Sequence, residues 1–211
     1  MRDSWSSRST RVLAGALAGL AVAALGCSGE PAEEVRAYPV TEYGYVSGDI
    51  PPPHLAWRGM AENGERGIIS ISEYFDADGS KGINALLVDQ STAWCGACQA
   101  LATKLAENMH GDWRGRGIHV LTLITQRIDG RPADDQTALV WKRHFGLDGT
   151  AVVADPARSF RGTPGESAAP YPYEIVIDPR TMRIVNVDAG FDGVGDFSAL
   201  LDLAETNAKK K

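Results

Sequence analysis

"VDQSTAWCGACQAL" (residues 88–101) sets two cysteines, Cys95 and Cys98, two residues apart directly behind Trp94. Upstream, "NALLVDQST" (84–92) is a short apolar run that suits a buried central strand. Downstream, "CQALATKLAENMH" (98–110) places Ala100 or Leu101, Leu105 and Met109 about four apart, the pattern of an amphipathic helix that begins at the cysteines. A cysteine at the first turn of a helix faces unpaired backbone N–H groups and the positive end of the helix dipole, and both favour thiolate over thiol. Cys95 is therefore read as the attacking sulfur. Cys98, one turn further in, is read as the thiol that resolves a mixed disulfide. A zinc site would need two more ligands. No second cysteine pair exists, and His54, His110, His119 and His144 are scattered without ligand spacing, so no metal is expected.

Strand and helix patterns alternate beyond this segment. "GIHVLTLITQ" (117–126) is a β-branched run and a second buried strand. "RPADDQTALVWKRHFG" (131–146) has Asp134 or Asp135 as a cap, an apolar stripe through Ala138, Trp141 and Phe145, and Gly146 as a stop. "GTAVVADP" (149–156) is a third strand, and "YEIVIDPRTMRIVNVD" (173–188) reads as two strands around the turn Asp178–Thr181. "DFSALLDLAETNA" (196–208) closes with a helix whose Phe197, Leu200, Leu201 and Ala204 share a face. Earlier, "GIISISEYF" (67–75) is a short strand, and "DADGSKG" (76–82) is a plain turn lacking the twelfth-position Glu of a calcium loop. This order predicts an α/β fold: parallel strands joined by helical crossovers, an antiparallel hairpin at the edge, and helices on both faces of the sheet.

The chain of 211 residues accommodates one ordinary domain plus extensions, and 44% hydrophobic with 23% charged residues is a soluble globular composition. A net charge of −6 leaves no basic stripe for a phosphate backbone, so no nucleic-acid partner is expected. Residues 1–26 form a separate unit. Arg2, Arg8 and Arg11 precede "VLAGALAGLAVAALG" (12–26), which is too short for the ~20 apolar residues of a spanning helix and suits a secretory signal. "ALGCSG" (24–29) resembles a bacterial lipoprotein signal, in which the cysteine, here Cys27, is acylated and becomes the new N-terminus. Ala24 stands where such signals usually carry Leu, and Ser28 in place of Asp permits passage to an outer membrane. Lipid on Cys27 would leave Cys95 and Cys98 as the only cysteine pair. Residues 27–48, rich in Pro, Glu, Gly and Tyr, are expected to form a flexible tether. A domain over 49–207 opens on the extended "DIPPPH" (49–54), and 208–211 is a basic tail.

"LLVDQSTAWCGAC" (86–98) resembles the active-site segment of the thioredoxin superfamily, and residues 49–207 resemble its TlpA/ResA-like, membrane-tethered branch. The resemblance rests on Trp94 before the first cysteine, on Asp89 six residues before Cys95, and on "YPYEIVID" (171–178) as the family's proline segment. It implies a thioredoxin-like fold and a thiol–disulfide oxidoreductase that needs no cofactor beyond the Cys95–Cys98 pair. Asp89 would take the proton of the resolving cysteine. Tyr171 and a cis Pro172 would dock the client, with Trp94, Gly96 and Ala97 shaping the surface it meets. Pro170 competes with Pro172 for that role, but at a poorer spacing to the strand. The resemblance further implies protein disulfide or dithiol clients, an upstream electron donor, a monomer, and an anchored domain facing the periplasm of a bacterial envelope. Gly96-Ala97 departs from the Gly-Pro common between the cysteines, which leaves the redox poise open. Gln90 and Ser91 replace aromatic residues common after the buried acid, so Asp89 is expected to be wetter and less raised in pKa than in the family.

Two other functions remain open. Thr92-Ala93-Trp94-Cys95 satisfies the TxxC part of a peroxiredoxin pattern, with Val88 where that pattern wants proline. A non-catalytic lipoprotein or copper carrier of the same fold is the other, although such carriers space their cysteines three apart and add a histidine.

Overall fold

The computed structural model describes residues 37–161 and 170–210. The signal segment, Cys27 and most of the 158–170 connection lie outside the described residues. Among the described residues no helix is long and apolar enough to cross a membrane.

Seven strands form one mixed sheet: β1 (Ala56–Met60), β2 (Arg66–Ser70), β3 (Ala85–Ser91), β4 (Ile118–Ile124), β5 (Ala151–Ala154), β6 (Tyr173–Asp178) and β7 (Arg183–Ala189), in the order β2-β1-β5-β4-β3-β6-β7. Among the described residues three α-helices accompany them: α1 (Gly96–Asn108), α2 (Asp135–Phe145) and α3 (Ser198–Ala208). β3, β4 and β5 run parallel, linked by α1 and α2 as crossovers, and every residue of β3 is buried. β6 is antiparallel to β3 and makes the edge hairpin with β7.

A second hairpin, β1–β2, closes the opposite edge by pairing antiparallel to β5. The composition of "AWRGM" (56–60) hides β1. Arg58 points to solvent, and Gly59 sits so close to β5 that a Cβ there would collide with the Val152 carbonyl oxygen and Val153 Cα. β2 ends at Ser70, where a capping box turns the chain into a 3-10 turn (Ile71–Tyr74).

Side-chain alternation along the strands divides the core in two. Ala85 and Leu87 of β3, Val120 of β4, Val152 of β5 and Val176 of β6 face the layer that holds Leu101 and Leu105 of α1, Trp141 of α2, and Leu200 and Ala204 of α3. Leu86, Val88, Leu121, Val153 and Ile175 face the other way. Both faces are covered, but unequally. The three α-helices share one face: β3→β4→β5 steps across the sheet in one direction, so right-handed crossovers put α1 and α2 on one side, and α3 packs back over β3 and β6 on that side. The opposite face is covered by the 3-10 turns Ile71–Tyr74 and Ser159–Arg161, through Ile71, Tyr74 and Phe160, and by the lead-in chain.

That lead-in starts before residue 49. Tyr38 stacks on Phe75 and donates to the Pro51 carbonyl at 2.8 Å, and Tyr45 meets Phe160 edge-on. Gly48 N–H donates to the Ile184 carbonyl and Ile184 N–H to the Asp49 carbonyl, each at 2.8 Å. Residues 38–48, expected as tether from their Pro- and Gly-rich composition, are therefore docked, because their tyrosines have an apolar floor to cover.

The "DADGSKG" turn carries more structure than its sequence suggests. Asp76 is fully enclosed, accepts the N–H groups of Lys81 and Ile83, and pairs with Arg180 at 2.8 Å. α2 is capped as its sequence predicts: Asp134 accepts from Thr137 N–H at 2.8 Å, and Gly146 adopts a left-handed φ of 63° to end it.

Candidate functional site

β3 delivers the site. Beyond Ser91 the chain turns through Thr92, Ala93 and Trp94, pinned by Ala93 N–H to the Gln126 carbonyl (2.9 Å) and by the Gln99 side-chain amide to the Ala93 carbonyl (2.9 Å). Cys95 then caps α1. Its extended backbone starts the helix, and its Sγ accepts the Cys98 N–H at 3.2 Å, satisfying one of the orphan donors of the first turn. Cys95 and Cys98 are joined as a disulfide with Cα atoms 5.2 Å apart. Cys95 keeps 8% of its surface and Cys98 none, so only the first sulfur can be met from outside.

The segment 171–173 lies directly across from the pair. Tyr171–Pro172 is a cis peptide, and the Tyr171 carbonyl oxygen is 3.7 Å from Cys95 Sγ. Of the two prolines weighed from the sequence, Pro172 is the cis one, buried, and tied to the end of β7 by Gly190 N–H at 2.8 Å from its carbonyl. The Tyr171 ring stands edge-on to Trp94 with centroids 6.5 Å apart, and its hydroxyl accepts from Thr125 at 3.2 Å. Trp94 is 48% exposed beside the nearly closed cysteine, and its indole N–H donates to Gln126 Oε1 at 3.0 Å. Gly96 is exposed and Ala97 half-buried on the same rim.

Asp89 sits below this rim. Alternation from Ala85 and Leu87 puts it on the α1-facing side of β3, the layer that contains Cys98. It is fully buried, and burial pushes its carboxyl up to about 7, with the Ser91 and Thr122 hydroxyls pulling the other way. Ser91 donates to Oδ1 at 2.7 Å; the Thr122 hydroxyl is close enough to favour the charged carboxylate, but neither it nor Oδ2 reaches full hydrogen-bond geometry. The wetter Asp89 expected from Gln90 and Ser91 is thus overturned. Gln90 points to the opposite face, where it donates to Asp155, and Ser91 is itself buried.

Four contributing side chains escaped the sequence. Gln126 holds Trp94 but lies in a polar segment after β4. Ile128 and Val140, both more than half exposed, flank a cleft of about 350 Å³ that begins at Ala93 and Gln99 and runs along α2 past Arg127 and Trp141. Glu174 of β6 is buried opposite Asp89, and its carboxyl is raised to about 8 by burial, then by the charges of Asp89 and Asp188. A glutamate in "YEIVID" looks like any strand residue until its cross-strand partner is known. No three His, Cys, Asp or Glu side chains converge as metal ligands among the described residues.

No protein-family model matches the sequence, and no curated protein matches it either. Solved structures do match in fold. A putative thiol:disulfide interchange protein DsbE from Chlorobium tepidum is 18% identical, aligning over 78% of this chain and 99% of its own with a TM-score of 0.51. A thiol:disulfide interchange protein of the thioredoxin family from Chlorobium tepidum TLS is also 18% identical, over 72% and 94%, with a TM-score of 0.50. A reduced 2-Cys peroxiredoxin from Plasmodium vivax is 12% identical, over 78% and 81%, with a TM-score of 0.52. With β3 handing over to α1 at a Cys-Gly-Ala-Cys pair and the β6–β7 hairpin beside it, the chain has the thioredoxin-like fold.

Proposed function

We propose that the protein is a thiol–disulfide oxidoreductase that works through Cys95 and Cys98, anchored by lipid on Cys27 and facing the periplasm. The observation that carries the proposal is the asymmetry of the pair: a rim cysteine capping a helix, and a fully enclosed one a turn behind it. In the reduced protein, Cys95 thiolate is stabilised by the first-turn N–H groups and attacks a client disulfide, releasing one client thiolate. Cys98 loses its proton to Asp89, attacks Cys95 Sγ, and releases the second thiolate. Two electrons pass from the dithiol to the client, and no further cofactor takes part. The Tyr171 carbonyl, 3.7 Å from Cys95 Sγ, offers an acceptor to the client backbone, and the exposed Trp94 with the cleft flanked by Ile128 and Val140 offers it apolar contact.

The signal-like residues 1–26 support an exported, tethered domain, and the Cys95–Cys98 pair on a thioredoxin-like fold supports protein disulfides as clients. Reduction of insulin by dithiothreitol is the test. Wild type accelerates the turbidity, Cys95→Ser loses all the gain, and Cys98→Ser accumulates a mixed disulfide visible on a non-reducing gel. Turbidity no faster than the uncatalysed reaction would refute exchange.

A peroxidase is favoured by one observation: Thr92, three residues before Cys95, is buried with its hydroxyl unpaired. Hydrogen peroxide consumption that survives Cys98→Ser would support it over exchange.

A further inference from the structure

Three carboxylates line up across the sheet. Asp89 on β3 is directly opposite Glu174 on β6, and Glu174 is directly opposite Asp188 on β7. All three lie on the face that α1 and α3 cover, since Leu87 and Val176, two residues from Asp89 and Glu174, belong to that layer. Cβ atoms of such opposed residues are about 4.5–5.5 Å apart, within reach of neighbouring carboxyl groups. Exposure rises along the row: 0% at Asp89, 8% at Glu174, open solvent at Asp188.

Fold stability alone does not account for this row. Like charges placed opposite one another destabilise a strand pair, and buried carboxyls without partners add a further cost. Asp89 Oδ2 and Glu174 Oε1 accept no hydrogen bond among the described residues. Thr122 on β4 is directly opposite Asp89, and no cation is among the groups that act on the Asp89 or Glu174 carboxyl. The exchange chemistry does supply a reason. Cys98 is wholly enclosed, so a proton leaving its sulfur cannot pass straight to water.

We propose that Glu174 and Asp188 conduct to solvent the proton that Asp89 takes from Cys98; the inference rests on the disulfide-exchange function proposed above. The Cys98 S–H bond breaks as an O–H bond forms on Asp89. The Cys98 thiolate attacks Cys95 Sγ, the mixed-disulfide S–S bond breaks, and the client leaves as thiolate. Glu174 passes its own proton to Asp188, and so to water, and receives the one from Asp89. The raised carboxyls of Asp89 (about 7) and Glu174 (about 8) suit this exchange, because each can hold or release a proton near neutrality.

The test uses reduced full-length protein and 5,5′-dithiobis(2-nitrobenzoate), followed by absorbance of the released thionitrobenzoate. Attack by Cys95 gives the first release, the internal reference, and resolution by Cys98 gives the second. Asp89→Asn slows the second release about a hundredfold. Glu174→Gln slows it roughly tenfold and leaves one inflection in its pH profile where wild type has two. A merely structural Glu174 would not remove an inflection. A Glu174→Gln protein with the wild-type second release and profile, beside a slowed Asp89→Asn, overturns the relay while leaving exchange intact. Absence of a second release in wild type overturns exchange itself. If Glu174→Gln does not fold by circular dichroism, the exposed Asp188→Asn decides. A slower second release in weak buffer, restored by added imidazole, supports the relay, and an unchanged rate overturns it.

Discussion

Replacing Asp89 by Asn should make the protein more stable and less competent, and the two effects share one origin. The side chain is fully buried and its carboxyl is held at about 7, against an ordinary 3.8. Well below pH 4 the group is protonated in both folded and unfolded chains and costs nothing. As pH rises from about 4 to about 7, the unfolded chain gives up this proton and the folded one keeps it, so stability is lost; above 7 the loss levels off at about 4 kcal/mol. Asn cannot ionise, so the variant escapes the loss. Its amide oxygen can still accept the Ser91 hydroxyl that Oδ1 accepts at 2.7 Å. Its amide nitrogen takes the place of Oδ2, which holds no hydrogen bond of full geometry to give up. Urea denaturation of the oxidised protein at pH 4, 6 and 8 measures the difference. The variant should lie within about 1 kcal/mol of wild type at pH 4 and exceed it by up to about 4 kcal/mol at pH 8. A difference that stays flat with pH, or a variant weaker than wild type at pH 8, would refute the idea that burial of this carboxyl opposes folding.

Three other outcomes follow from the fold. Arg180→Ala leaves the enclosed Asp76 carboxylate without its counter-ion, although Lys81 and Ile83 N–H groups remain, and should cost about 3–5 kcal/mol in urea denaturation. Gly59→Ala drives a methyl into the backbone of β5 and should lower stability by about 1–3 kcal/mol by the same measurement, whereas Gly67→Ala, with open space around it, should be near neutral. Trp94→Ala removes a half-exposed ring beside Cys95 but none of the core, so insulin reduction should slow while the melting temperature moves by no more than about 2 °C.

The chemistry of the site was legible because it is local. A strand, two cysteines and a helix follow one another within residues 85–108, and each leaves its own pattern: a continuous apolar run, a spacing, a period near 3.6. α2 was equally open, since Asp134 and Gly146 mark its ends. β1 was not, because a five-residue strand between β2 and β5 that exposes Arg58 and buries a glycine shows too little apolar pattern to read. Asp89 could be placed but not its surroundings, for which side of the strand Gln90 and Ser91 occupy matters more than their polarity. Glu174 was invisible for a stronger reason. What sets it apart is a partner 85 residues away in sequence, brought opposite only by the antiparallel pairing of β6 with β3. The shared face of the three α-helices is also a property of strand order, which no single segment encodes.

The lead-in that pairs with Ile184 on β7 also acts as a guard. An outermost strand offers its free main-chain groups to any passing strand, a second copy of the same molecule included. Here the chain's own residues 48 and 49 occupy that berth, and Tyr38 and Tyr45 shield the aromatic rings beneath. A version trimmed to begin at residue 50 would uncover both at once and should clump in light scattering where the longer form stays dispersed. Residues that read as mere slack in the sequence thus fill, at Ile184, a place that a neighbouring strand could otherwise take.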